Sequence, residues 1–181
     1  WHGGAVAAEG VRCEHVDFRN NKTDPVDPTL GTGGAIYSDG DVYLDDCGFY
    51  DNVAETHGGA VGVVNGDVEI LNGSVFEDNS AGDAAGALWA FQDAVEAGTL
   101  SIEDATFLDN EAGGDMGAVG FYNFSEVTVN GVQFIGNSTG SAESFKGGAL
   151  GGSADSVAVH GSEFAGNFGD YLGGAIMLYM T

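Results

Sequence analysis

Short alternating runs dominate the hydrophobic pattern of this chain. Val42-x-Leu44, Val68-x-Ile70, Leu100-x-Ile102, Val127-x-Val129 and Val157-x-Val159 each place apolar residues two apart, flanked by polar ones. That is the period of a β-strand with one face buried. A second alternating column holds Val6, Ile36, Val61, Leu88, Val119, Leu150 and Ile176, followed two residues on by Ala8, Ser38, Val63, Ala90, Phe121, Gly152 and Leu178. Both columns are expected to point inward. A third strand is expected through Phe18, Phe49, Phe76, Phe107, Phe134 and Phe164, with Cys47, Ala105 and Val132 before it on the same face. No segment carries apolar residues at helical spacing over three turns, so helices are expected to be minor.

These strands recur in phase with two short signatures. A Gly-Gly-Ala-aliphatic element has its Ala at 5, 35, 60, 87, 118, 149 and 175, degenerate at Ala85-Gly86-Ala87 and Met116-Gly117-Ala118. A Phe-x-x-Asn element follows, with Asn21, Asn52, Asn79, Asn110, Asn137 and Asn167 as its last residues. A unit of about 25 to 31 residues cannot bury its own apolar face, and stacking units does so. Three strands per unit predict an all-β parallel β-helix, one domain over 1–181, of about six coils spaced about 4.8 Å apart. The stretches 20–33 (with Pro25 and Pro28), 91–98 and 138–146 are expected as excursions at the turns. One turn, between Ile70 and Phe76, carries an extra residue.

The recurring residues have structural readings. Stacked Phe side chains fill the interior, each burying on the order of 150–250 Å². Asn tolerates left-handed backbone and can hydrogen-bond its neighbours above and below. Gly-Gly permits a sharp bend, and the Ala keeps the wall thin.

Repeats of Gly-Gly-Ala-(Ile/Leu/Val) and Phe-x-x-Asn, from Gly3-Gly4-Ala5-Val6 to Gly173-Gly174-Ala175-Ile176, resemble the polymorphic outer-membrane-protein repeats first recognised in chlamydiae. The resemblance implies a right-handed parallel β-helix in an extracellular or cell-surface protein with an adhesive or structural role. The family's motifs mark fold rather than catalysis, and its membrane-anchoring barrel has no counterpart in these residues.

Charge then narrows the partners. Of 181 residues, 28 are acidic and 4 basic, giving a net charge of −24. Such a surface repels nucleic acid and anionic membranes, and no apolar run is long enough to span a bilayer. Cations are the natural counterparts. Asp51, Asp78 and Asp109 occupy one position in three consecutive coils, and stacked carboxylates there would hold Ca²⁺. Asp39-Gly40-Asp41 and Asn65-Gly66-Asp67 form a second acidic turn column.

Catalysis finds little footing. A β-helical polysaccharide lyase or hydrolase would set a base among carboxylates, but Arg12, Arg19 and Lys22 lie at the first coil and Lys146 in a late loop, while the four His are scattered. Cys13 aligns with Leu44 and Cys47 with Val16, a three-residue offset that favours buried free thiols over a disulfide. Outward positions Ala7, Tyr37, Gly62, Trp89, Gly120, Gly151 and Met177 form a smooth, uncharged face. Tyr37, Trp89 and Met177 mark it as a surface for a host or neighbouring cell-surface protein or for a glycan. The chain begins and stops at one phase of the repeat, so flanking coils or further copies are expected end to end, as in a fibre. The function expected is that of an extracellular structural or adhesive module, with calcium-dependent assembly as an alternative.

Overall fold

In a computed structural model the chain is an all-β parallel solenoid. The structure describes residues 3–23, 31–93, 98–140, 147–170 and 173–180. Every strand pairing among them is parallel and joins one coil to the next in the predicted register: Val6 to Ile36 to Val61, and Phe49 to Phe76 to Phe107. The Phe-bearing strands form a six-stranded sheet, and its six rungs enclose about five full turns.

The coils contain the three expected strands, and four of them contain a fourth. The opening strands, such as Ile36–Ser38 and Leu88–Phe91, follow Gly-Gly-Ala. The middle strands, such as Val42–Asp45 and Val68–Leu71, follow the first turn. Later the two merge, as Val119–Asn130 and Leu150–His160, paired with a register shift between Phe121 and Phe124. The additional element is two residues long and follows the motif Asn: Val53–Ala54, Ser80–Ala81, Glu111–Ala112 and Ser138–Thr139 form a four-stranded sheet of their own. Period-two patterning cannot mark a strand of two residues. No helix occurs among the described residues.

The corners explain the recurrent Asn, Asp and Gly. Left-handed backbone is needed between the middle and Phe strands, and His15, Asp46, Asn72, Asp104, Gly131 and Gly161 supply it. Asn72 and Gly73, both at positive φ, carry the expected extra residue. A second left-handed column lies between Phe and Asn: Asn20, Asp51, Asp78, Asp109, Gly136 and Gly166. Only Gly, and to a lesser degree Asn and Asp, enters this region cheaply.

Gly-Gly-Ala closes the ring. Its first residue sits at positive φ in Gly33 and Gly58, and also in the degenerate Ala85 (φ 59) and Met116 (φ 52). Its second residue admits no side chain. A Cβ on Gly86 would collide with the carbonyl of Gly117 in the next coil and with the backbone of Glu111. Glu111 directly follows a motif Asn, so the two signatures meet where the wall is thinnest.

The predicted insertions begin later than the sequence suggests. Lys22 bridges Val53, and Ser138–Thr139 pairs with Glu111–Ala112, so both segments remain in the coil. Phe91 ends a strand, and Gln92, 4% exposed, donates to the Gly66 carbonyl at 2.7 Å. The cores of these excursions, 24–30 with Pro25 and Pro28, 94–97, and 141–146 with Lys146, lie outside the described residues.

Candidate functional site

Most side chains the sequence singles out turn inward. Six Phe rings stack with centroids 4.7–5.1 Å apart and planes within 9° of parallel. Beside them runs the Asn ladder. Asn79 Nδ2 donates to Asn110 Oδ1 at 3.0 Å and to the Phe49 carbonyl at 3.0 Å. Its Oδ1 accepts from the backbone N–H and the Nδ2 of Asn52. The pattern repeats from Asn21 to Asn167. Asn52, Asn79, Asn110 and Asn137 are fully buried with every polar side-chain atom paired, as buried amides require. These columns hold coils together and offer nothing to a ligand.

Asp51, Asp78 and Asp109 lie at equivalent exposed corners of consecutive coils, and their left-handed φ of 52–55° gives them a backbone task. In the second acidic column, Asp41 Oδ1 accepts the Asp67 N–H at 3.0 Å, and Asp67 Oδ1 accepts the Thr99 N–H at 2.6 Å. These carboxylates cap the strand of the next coil. Among the described residues, no group of three or more His, Cys, Asp or Glu side chains is arranged to hold a metal ion.

Basic groups near the first coil are engaged by their neighbours. Arg12 Nε donates to Glu14 at 2.7 Å, and its guanidinium lies 4.0 Å from the Tyr43 ring centroid. Arg19 repeats this arrangement with Asp17 at 2.8 Å and Tyr50 at 3.8 Å. Lys22 Nζ is 3.9 Å from Glu55.

The cysteines overturn the free-thiol expectation. Cys13 and Cys47 form a disulfide with Cα atoms 6.7 Å apart. A three-residue offset in straight strand would span about 10 Å. The left-handed corners at His15 and Asp46 fold the chain between the two positions, so both side chains converge inside. The offset counted residues and could not see the corner.

What remains outward is the face of the opening strands, and it is not smooth. Tyr37, Trp89 and Met177 are half-buried and share one outward column, as expected. The glycines between them are covered. A Cβ on Gly62 would meet Thr32, and Met116 lies over Gly120 and Gly151. Trp89 packs against His57 at 4.8 Å with the rings tilted by 32°, and stacks with Phe91 at 5.6 Å, within 6° of parallel. His57 in turn stands 3.3 Å from Asp83. Burial pulls the His57 imidazole below its ordinary value, and Asp83 pulls it partly back. In the next coil Tyr122 is the register partner of Phe91, and its hydroxyl donates to the Met116 sulfur at 3.9 Å. Burial first, then Asp115, Tyr179 and Asp83, push its proton affinity up to about 12.

This patch of His57, Asp83, Trp89, Phe91, Asp115 and Tyr122 unites rings and carboxylates from consecutive coils. Sequence reasoning found Trp89 but treated His57 as incidental. The available signal was position: His57 immediately precedes the left-handed residue beside which Trp89 stands.

A stack of parallel coils with Phe and Asn columns sealed inside defines a β-solenoid. The Chlamydia polymorphic membrane protein repeat matches residues 15–39, which span one Phe-x-x-Asn and the following Gly-Gly-Ala-Ile. Proteins of that repeat family are non-enzymatic surface or outer-membrane proteins with a β-helix fold. No curated protein and no solved structure matches the chain.

Proposed function

We propose that this chain is a structural and adhesive module displayed outside the cell, part of a surface fibre, filament or adhesin. The observation that carries the reading is the division of its side chains. Phe, Asn and Gly columns are consumed by stacking, and Trp89, Phe91 and Tyr122 are left together on the outer face of the opening strands. A buried disulfide between the first two coils supports an oxidising setting. The repeat match supports the cell surface. Further coils, of this chain or another copy, would cover inward-column residues such as Val16 and Leu178, which are 42% and 41% exposed.

Protease shaving of intact producing cells, followed by detection of this segment, tests the display. Release from intact cells is the expected result, together with reduced attachment when the segment is deleted. Protection until lysis would sink the reading, and turnover of a uronate polymer by the purified chain would move it to the enzymatic alternative.

A further inference from the structure

We infer that His57 is a proton-operated cover on Trp89. Neutral, the imidazole lies against the indole; charged, it turns out toward Asp83 at the rim and leaves that part of the ring open. The inference rests on the adhesive reading above and adds a condition to it: contact through Trp89 strengthens as the surroundings acidify.

Trp89 has two aromatic neighbours of different kinds. Phe91 belongs to the same strand and stacks within 6° of parallel. His57 comes from the coil before, and its ring is tilted by 32° against the indole. The His57 backbone is fixed, because it bridges Ala84 and its carbonyl accepts the Gly33 N–H at 2.9 Å. Its side chain, 31% exposed, remains free to change rotamer toward water. Asp83 stands 3.3 Å from Nε2, and its own side chain is 64% exposed, so it offers the charged ring a solvated partner. Charge decides between the two positions. A neutral imidazole packs on an indole at little cost, whereas a charged one loses water there. Burial lowers the proton affinity of His57 more than Asp83 raises it, so the charged ring is less stable in this seat than in water. The other groups around it do not compete. On its own turn Glu55 lies 3.9 Å from Lys22, and the uncharged Thr56 and Thr32 hydroxyls bond each other at 3.2 Å. The opening strand beside it presents the uncharged Trp89 and Phe91. Asp115, in the coil after Asp83, acts on Tyr122 and Tyr179.

The chain has two tryptophans, so in a Trp1→Phe background the fluorescence reports Trp89 alone. Acrylamide quenching of the purified chain, followed downward from about pH 7.5 over the range in which circular dichroism stays constant, tests the cover. The quenching constant should rise on acidification, with a midpoint below about 6.5. His57→Gln should abolish the rise. Asp83→Asn removes the partner at the rim and should move the midpoint to lower pH. His160→Gln, which removes another imidazole, should leave the curve as in the parent. A constant that stays level in the parent would overturn the inference. So would one that falls, which would mean that the charged ring clamps the indole more tightly, or an equal rise in His57→Gln. Because the assay reads one ring of the purified protein, its failure leaves surface display standing, and failure of shaving leaves the quenching result standing.

Discussion

Asn110 Oδ1 takes two hydrogen bonds from Asn79, one from the side-chain Nδ2 at 3.0 Å and one from the backbone N–H at 3.1 Å. One atom thus secures both the side chain and the main chain of the coil before it. Replacing Asn79 by Ala removes the acceptor for Asn52 and the donors to Asn110 and Phe49. Each group left unpaired in the interior costs about 1–3 kcal/mol. Asn79→Ala should therefore lower the denaturation midpoint more than Asn21→Ala at the half-buried first rung. Chemical denaturation of the two variants measures the difference.

The two glycine positions of the opening motif should respond with opposite signs. Ala85→Gly relieves a side chain held at φ 59° and should stabilise by about 1 kcal/mol. Gly86→Ala, one residue on, drives a Cβ into the Gly117 carbonyl and should disrupt the stack. Thermal melts of both variants against the parent decide this.

Reduction of the Cys13–Cys47 bond should loosen one end only. The cross-link contributes about 2–4 kcal/mol in typical cases, and it joins the first coil to the second. In a solenoid each coil contacts only its neighbours. Hydrogen exchange should therefore accelerate in Val11–Glu14 and Asp17–Arg19 on reduction, and stay slow in Thr106–Leu108. A uniform loss would contradict nearest-neighbour stabilisation.

His57 should make one contribution to the pH profile. Its folded value lies below the ordinary one because the imidazole is buried. The unfolded chain therefore takes up the proton first as pH falls, so this contribution is complete above about 6.5 and is lost from there down to the folded value. His57→Gln should show a smaller loss of stability across that window than the parent, followed by melting temperature against pH.

With a net charge of −24, raising salt from about 0.01 M to 1 M should raise the melting temperature by screening self-repulsion. Adding a calcium chelator at constant ionic strength should leave it unchanged. A drop on chelation would mark the Asp51, Asp78 and Asp109 column as an ion site.

The repeat was legible in the sequence because stacking makes the same demand of every coil. A Phe that must lie over another Phe, and an Asn that must bond another Asn, recur in phase, and their columns were found residue by residue. Features that depend on how the chain bends were less legible. The disulfide was missed because Asp46 turns a corner that residue counting treats as straight. The Asp51, Asp78 and Asp109 column was seen as charge. Its membership, with Asn20 above and Gly136 and Gly166 below, also reports a left-handed φ. The flank around Trp89 was half visible, since its partners His57 and Asp83 sit in positions that vary from coil to coil.

The Asn ladder also has a direction. Each Oδ1 faces the coil before it, and each coil offers N–H groups to the one that follows. The side-chain amides are thus aligned like arrows along the axis. Two such stacks brought together head to head would set donor against donor or acceptor against acceptor. Only a join of unlike ends continues the pattern, so any fibre built on this ladder has polarity, with a distinguishable beginning and end.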